Sequence, residues 1–407
     1  MPILKNIGML SSGRTAGPQE QVYSIPDAAL VWSDKTIAWV GAECDLPKQF
    51  ASEKTIDAQR YLVVPGLIDC HTHLAFGGWR CDEFVQRCLG KSYSDIALAG
   101  GGILSTVRAT RECSKEQLHE RCVGFLKQIS ALGVTTLEAK SGYGLDLASE
   151  IKILEVYREL QKRSDISIVP TLLAAHAVPN EYKSQREKYV ALILDELLPR
   201  VAAQQLAVFC DVFVDTVAFS IEEARTILQA AGKLGLRAKL HVDQLADTGG
   251  ATLAAQLGAI SADHLEFISD AGIEALKTSQ VVAVSLPLAS LFTRQAPLDA
   301  RRLLARGVPV AVATDFNPGS APSFNLHLAM MLACTMNRMS PQEVLNAATI
   351  VAARALGLHD EIGSLEVGKR ADFAVFDAPS VDQWLYHFGS NACRATFKNG
   401  SMVYGAL

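Results

Sequence analysis

The sequence predicts an α/β protein, a (β/α)₈ barrel of the TIM type. Two observations support this prediction: short apolar runs alternate eight times with helix-like segments, and several runs are apolar at nearly every position. Parallel strands that are buried on both faces have that composition. The predicted strands span residues 64–70, 134–139, 166–174, 206–214, 237–242, 260–263, 281–285 and 308–314. A doubly wound sheet is the weaker alternative, because no glycine-rich phosphate loop follows an early strand.

Helix start signals between the predicted strands support the alternation. Ser220 and Glu223 have the spacing of a capping box in front of residues 224–231. Ser340 precedes Pro341, and proline favours the first turn of a helix. These segments are therefore predicted to be the helices that connect parallel strands.

The two ends of the chain have a different pattern from the middle. Residues 1–60 and 363–407 contain short alternating runs, such as 36–40 and 371–376. Such runs are typical of half-buried strands. We expect both ends to form one small β-sandwich domain, with residues 61–362 forming the barrel.

Bulk composition excludes several classes of function. The 407 residues are 49% hydrophobic and 20% charged, and the net charge is −5 without a basic stripe. Nucleic acid is therefore not an expected partner. No apolar stretch reaches the ~18 residues that suggest a membrane span, and no signal-peptide pattern opens the chain. Nine cysteines without a Cys-x-x-Cys pair indicate free thiols and a cytoplasmic protein.

Histidines and one aspartate follow the ends of the predicted strands. In a (β/α)₈ barrel, catalytic residues come from the carboxyl ends of the strands, so these side chains are expected at one mouth. His71 and His73 flank one residue and point the same way, because side chains alternate along a strand. The residues at strand ends are His71, His73, His176, His241, His264 and Asp315.

Four of these residues form a candidate metal site. His71, His73, His241 and Asp315 supply three imidazoles and a carboxylate. This set suits Zn²⁺ or Fe, and the residue types do not separate the two metals. A bound metal lowers the pKa of its water toward ~7, which makes hydrolysis possible at neutral pH.

The segments around these residues resemble the metal-dependent amidohydrolase superfamily. Residues 65–73, Pro-Gly-Leu-Ile-Asp-Cys-His-Thr-His, match its signature, and residues 363–372 match the segment that returns the chain to the terminal domain. Within the superfamily, the chain resembles the imidazolonepropionase family. That resemblance rests on residues 76–80, 138–145, 175–179, 261–265 and 314–320.

The resemblance implies hydrolysis of a cyclic C–N amide bond. The expected reaction converts 4-imidazolone-5-propanoate to N-formimidoyl-L-glutamate in histidine degradation, with one metal-activated water. Asp315 is the expected base, and His264 is expected to orient the water or stabilise the oxyanion. Family members are commonly homodimers, which is the expectation here.

The same resemblance implies a substrate pocket. Arg80 is expected to bind the propionate, because a guanidinium binds a carboxylate through two hydrogen bonds. Gln244 can hold a ring N–H, and His176 can contact the ring carbonyl. The full set of expected substrate-binding residues is Arg80, Tyr143, His176, Gln244, Asn317, Gly319 and Ser320.

Two departures from related subfamilies sharpen the prediction. Two-metal members use a carbamylated lysine at the end of the fourth strand, and residues 206–214 contain no lysine. One metal ion is therefore expected. Deaminases of heterocyclic bases such as guanine or cytosine carry His-x-x-Glu where this chain has His241 and Gln244. A base deaminase remains the first alternative, and a non-catalytic amidohydrolase-like scaffold is the second.

Overall fold

The computed structural model describes residues 1–50, 53–91 and 101–407, which form two β-sheets and the helices between their strands. In chain order the strands are β1 (Ile3–Ser12), β2 (Tyr23–Ser33), β3 (Thr36–Ala42), β4 (Thr55–Asp57), β5 (Leu62–Pro65), β6 (Leu67–Asp69), β7 (Val134–Lys140), β8 (Ser167–Ala175), β9 (Phe209–Val214), β10 (Arg237–Val242), β11 (Ser261–His264), β12 (Val282–Ser285), β13 (Val310–Val312), β14 (Phe373–Phe376), β15 (Cys393–Lys398) and β16 (Ser401–Gly405).

The described helices lie mainly between the barrel strands. They are α1 (Cys81–Cys88), α2 (Ile103–Glu112), α3 (Lys115–Ser130), α4 (Leu147–Arg163), α5 (Arg186–Leu192), α6 (Leu198–Ala203), α7 (Ile221–Lys233), α8 (Gly250–Gln256), α9 (Asp270–Ser279), α10 (Pro287–Thr293), α11 (Ala300–Leu304), α12 (Leu326–Thr335), α13 (Pro341–Ala347), α14 (Ile350–Ala355) and α15 (Val381–Tyr386). Across the described ranges, we find no helix with both the length and the apolarity of a membrane span.

Both termini build one separate sheet. Its strand order is β16-β15-β14-β5-β1-β2-β3, with β4 paired to β1. Trp32, Phe373 and Phe397 are buried at its centre, and the two phenylalanine rings stack with centroids 4.3 Å apart. The predicted joining of the two ends is confirmed. The boundaries near residues 60 and 362 stay a prediction.

Eight parallel strands form the barrel, in the order β6 to β13. Each predicted strand is present, so the predicted barrel is confirmed. The largest difference lies in residues 64–70, where two strands occur instead of one. β5 belongs to the terminal sheet, and Gly66 donates its N–H to the carbonyl of Asp372 at 2.9 Å before β6 enters the barrel. A Cβ on Gly66 would lie 2.4 Å from the side chain of Thr135, so only glycine fits this crossing.

The first and last barrel strands meet beyond their carboxyl ends. The N–H of Asp315 donates to the carbonyl of His71 at 3.0 Å, and the N–H of His73 donates to the carbonyl of Phe316 at 2.8 Å. These two bonds bring the segment after β6 beside the segment after β13. The nearly closed barrel therefore places His71 and His73 next to Asp315.

The capping box predicted at Ser220 is present at the start of α7. Ser220 Oγ accepts from the N–H of Glu223 at 3.2 Å, and Glu223 Oε2 accepts from the N–H of Ser220 at 2.8 Å. We expect Ser220→Ala to lower the free energy of unfolding by about 1 kcal/mol, measured by urea denaturation. Thr226→Ala, at an exposed position of the same helix, is the control, because its hydroxyl only bonds back to the carbonyl of Glu222. Equal stability of Ser220→Ala and wild type would contradict this role.

Candidate active site

Four histidines form a compact buried cluster at the carboxyl end of the barrel. His71 and His73 follow β6, His241 lies in β10, and His264 ends β11. The ring centroids of His71 and His241 are 4.5 Å apart, and those of His241 and His264 are 5.5 Å apart. The predicted convergence of these strand ends is therefore present in the fold.

Two groups of potential metal ligands share His71. One contains His71, His73 and Asp315, and the other contains His71, His241 and His264; within each group the ligand atoms lie within 4.8 Å of one another. Asp315 Oδ1 is 3.4 Å from the Nε2 atoms of both His71 and His73. The four predicted ligands therefore come together, and His264 lies close enough to join them.

The residues present fit a metal ion. The Nε2 atoms of His71 and His241 are buried and make no hydrogen bond within the described part of the chain. Buried polar atoms without partners are rare, and imidazole nitrogens are common ligands of zinc and iron. Burial first, and then the positive charge of His71 and Lys140, hold the pKa of His241 well below its ordinary value. His241 is therefore the neutral imidazole that a metal requires.

His71 is oriented by a carboxylate on its far side. Its Nδ1 lies 2.7 Å from Asp263 Oδ2, and both side chains are fully buried. Burial opposes the charge on Asp263, but the ammonium groups of Lys239 and Lys140 hold its pKa well below the usual range. An ionised carboxylate only accepts, so Nδ1 of His71 donates and Nε2 faces the cluster.

Protonation of His71 competes with metal binding. Burial and the Lys140 ammonium lower the pKa of His71. The carboxylates of Asp263, hydrogen-bonded to Nδ1, and Asp315, 3.4 Å from Nε2, outweigh them and raise it to about 9. A second proton would reside on Nε2, so a metal ion at that nitrogen would have to displace it. The two carboxylates thus favour a positive charge at this position.

Asp315 is held in an unusual backbone conformation. Its φ is 54°, a left-handed value that non-glycine residues seldom adopt. The preceding Thr314 is fixed by Asp69, whose carboxylate accepts from the Thr314 hydroxyl at 2.6 Å and from its N–H at 3.1 Å. Burial opposes ionisation of Asp315, yet His71 and His73 hold its pKa well below the usual range. Asp315 is therefore a carboxylate aimed at the histidines.

His264 also lies in a left-handed backbone conformation, with φ of 79°, and Leu265 follows it at 69°. Non-glycine residues in this region cluster at functional sites. Its Nδ1 is 3.6 Å from Oε1 of Glu266, a buried carboxylate that the sequence analysis missed. The available signal was a carboxylate two residues after a histidine that ends a strand.

His176 and Tyr143 form one wall beside His73. The rings of His73 and His176 stack with centroids 5.1 Å apart, and the Tyr143 centroid lies 5.4 Å from that of His176. His176 Nδ1 lies 3.0 Å from the carbonyl of Gly142, so it donates there. Burial, followed by the charge on His73, lowers the pKa of His176 to about 3, so the ring is neutral.

Arg80 packs directly on the loop that follows β13. A Cβ on Gly319 would lie 1.0 Å from Arg80 Nη2, so glycine alone allows this approach. The Arg80 side chain is 13% exposed, and its Nε is 3.8 Å from Glu83 Oε2. Arg87 also reaches this loop and donates to the Gly319 carbonyl at 3.3 Å. The predicted carboxylate-binding arginine is thus fixed beside the segment that carries Asp315.

The side chain of Asn317 is used within its own loop. Its Nδ2 donates to the carbonyl of Asp315 at 2.6 Å and to Ser320 Oγ at 2.9 Å, and its Oδ1 accepts from the N–H groups of Gly319 and Ser320. Ser320 Oγ lies 3.4 Å from Asp315 Oδ2. Asn317 therefore shapes the loop that presents Asp315 and Gly319. The last of the seven expected pocket residues, Gln244, lies half-buried three positions after His241.

Sequence reasoning missed a set of charged side chains inside the barrel. Glu138, Lys140, Asp211, Lys239 and Asp263 are all fully buried, and we call them the buried charge network. Each lies in a barrel strand, where charged side chains are uncommon, and that was the available signal. A charge in such a strand needs a partner, because unpaired buried charge is costly.

Comparisons with known proteins agree with this geometry. Residues 62–403 match the amidohydrolase family model. The chain is 45% identical over 385 residues to the imidazolonepropionase of Shewanella putrefaciens, covering 94% of each chain. It is 43% identical over 409 residues to that of Fusobacterium nucleatum, covering 99% of this chain and 98% of the relative.

Solved structures share the fold at low identity. An adenosine deaminase from Xanthomonas campestris with bound zinc superimposes with a TM-score of 0.75 at 19% identity, covering 100% of this chain and 93% of that one. The Escherichia coli guanine deaminase gives 0.73 at 16% identity and full coverage of both chains. At this low identity, the likeness to the two deaminases shows a shared fold only. The chain belongs to the amidohydrolase family and, within it, to the imidazolonepropionases.

Proposed function

We propose that this chain hydrolyses 4-imidazolone-5-propanoate to N-formimidoyl-L-glutamate in histidine degradation. The observation that carries the proposal is the meeting of His71, His73, His241 and Asp315 at one end of the barrel, with Arg80 packed against the loop that carries Asp315. The three histidines and the aspartate suit metal-dependent hydrolysis, and the arginine suits a substrate that carries a carboxylate. Relatives at 43–45% identity bear the name of this enzyme.

The proposed metal is a single Zn or Fe ion held by His71, His73, His241 and Asp315. When bound, such an ion acidifies water and polarises a carbonyl group. Asp315 then takes a proton from the attacking water and delivers it to the ring nitrogen that leaves. The C–N bond of the ring breaks as the new C–O bond forms, so one water is consumed for each ring opened.

Other side chains orient the reacting groups. His264 lies 5.8 Å from His71 by ring centroids, where it can orient the water or stabilise the oxyanion. Gln244 presents both a donor and an acceptor to the ring nitrogens. His176 and Tyr143 wall the ring on the His73 side, and Arg80 pairs with the propionate.

The loop after β13 completes the proposed pocket. Gly319 leaves room for the Arg80 guanidinium, and Ser320 hydrogen-bonds Asp315. Asn317 keeps both in place.

We also propose that the enzyme acts in the cytoplasm as a homodimer. Light scattering after size-exclusion chromatography tests the oligomeric state, and we expect a mass of two chains.

The test is turnover of 4-imidazolone-5-propanoate, with guanine and cytosine as controls. We expect consumption of the imidazolone only, loss of activity after chelation, and recovery with about one equivalent of Zn²⁺ or Fe²⁺. Release of ammonia from guanine or cytosine, without imidazolone turnover, would favour the deaminase alternative. A metal-loaded protein inert toward all three would favour the scaffold alternative.

A further inference from the structure

The buried charge network adjoins the histidine cluster, and the proposed reaction assigns it no role. Lys140 lies at its centre. Lys140 Nζ is 2.8 Å from Glu138 Oε1, 2.7 Å from Asp211 Oδ2 and 3.4 Å from Asp263 Oδ2. One ammonium therefore joins carboxylates from β7, β9 and β11, in a region where every member is fully buried.

Two of these carboxylates face metal-binding histidines with the same oxygen that faces Lys140. Asp263 Oδ2 is hydrogen-bonded to His71 Nδ1 at 2.7 Å, and Asp211 Oδ2 lies 3.0 Å from His241 Nδ1 without the alignment of a hydrogen bond. Lys140 is thus one contact away from two imidazoles, one that follows β6 and one in β10. Its position links the orientation of His71 to that of His241.

The second lysine of the network has different contacts. Lys239 Nζ is 2.9 Å from Glu138 Oε2, and it donates to the backbone carbonyls of Cys70 and Ala355. Those contacts do not include the Asp211 and Asp263 oxygens that face the histidines. Lys140 is therefore the ammonium in direct contact with both of them.

Removal of the Lys140 charge leaves its carboxylates short of a partner in a dry interior. A buried carboxylate without its cation turns toward other donors, because unpaired charge in a low-dielectric medium is unfavourable. Asp263 and Asp211 would then no longer hold His71 and His241 in one orientation. Groups that orient metal-binding histidines in this way affect metal affinity about 10–100-fold.

We propose that Lys140 is a positioning residue of the metal site: its ammonium holds Asp211 and Asp263 in the places from which they orient His71 and His241. The inference rests on the metal site of the proposed function. It assigns Lys140 no contact with substrate, since the side chain is fully buried within the barrel.

The test compares the zinc affinity of the full-length apoprotein with and without Lys140. We expect Lys140→Met to raise the Kd for Zn²⁺, measured by chelator competition, about 10–100-fold. The visible spectrum of the Co²⁺ form should shift as the ligand geometry changes. At saturating metal, KM should stay within about twofold of wild type, because the pocket walls are untouched.

Lys398→Met is the matched control. Lys398 is also buried, and its Nζ pairs with Asp372 Oδ2 at 2.6 Å in the terminal sheet. We expect this variant to lose thermal stability while its Kd for Zn²⁺ and its Co²⁺ spectrum stay at wild-type values. An equal loss of zinc affinity in both variants would overturn the proposal, and so would a wild-type Kd in Lys140→Met.

A second pair of variants keeps the proposal testable if the Lys140→Met protein does not fold. Asp211→Asn and the double variant Lys140→Met/Asp211→Asn differ only at Lys140, and the double variant removes one charge of each sign. We expect weaker zinc binding in the double variant than in Asp211→Asn, through Asp263; equal binding would overturn the proposal. A wild type that binds zinc without turning over the imidazolone would overturn the proposed function and leave this inference standing.

Discussion

Replacing Asp315 with asparagine is expected to lower kcat by about 10²–10⁴-fold, the usual contribution of a general acid–base group. Asparagine keeps the shape of the side chain and tolerates the left-handed backbone at this position, where φ is 54°. The change therefore removes the proton acceptor without disturbing the loop. Steady-state turnover of 4-imidazolone-5-propanoate measures the effect.

Metal content must be measured on the same samples, because Asp315 is also a proposed ligand. Asp270→Asn is a suitable control, since this exposed carboxylate pairs with Arg302 on the outside of the barrel. We expect its kcat to equal that of the wild type. Wild-type turnover in fully metallated Asp315→Asn would exclude Asp315 from proton transfer.

Gly319→Ala and Arg80→Met are each expected to raise KM for the imidazolone about 10–100-fold, since a lost charge-assisted hydrogen bond weakens binding by about 1.5–3 kcal/mol. The added methyl group would lie 1.0 Å from Arg80 Nη2, so the guanidinium must leave its place. Metal content should not change, because neither residue is a proposed ligand. Initial rates over a range of substrate concentrations give KM and kcat separately.

Gly124→Ala is the control for the added methyl group, because its Cβ would meet no atom within 4 Å. The double variant Arg80→Met/Gly319→Ala tests the link between the two sites. We expect its KM to match that of Arg80→Met, since Gly319 acts through the arginine. An unchanged KM in both single variants would remove Arg80 from the carboxylate-binding role.

The barrel strands could be predicted because their signal is local. Apolar runs such as 308–314 describe a strand buried on both faces, and that composition needs no knowledge of distant residues. His71, His241 and Asp315 could then be predicted as neighbours, because each lies at the carboxyl end of a predicted strand and parallel barrel strands place those ends at one mouth. The structure brings these residues together as predicted.

The functions of single side chains were harder to predict. Asn317 is expected in the substrate pocket, and that role stays a prediction; the structure adds that its side-chain amide holds the loop that carries Asp315. Glu266 and Lys140 were not predicted at all. Their roles depend on the neighbours that folding gives them, and a charged residue in the sequence does not by itself identify its partner.

The sequence by itself determined the eight-stranded barrel, the terminal domain and the residues at the strand ends, since periodicity and strand order are properties of the chain. The tertiary structure alone decided the crossing at Gly66, the packing of Arg80 on Gly319 and the contact of Lys140 with Asp211 and Asp263. Each of these joins segments far apart in the chain. Such contacts arise only when the barrel closes, because closure sets which side chains share its interior.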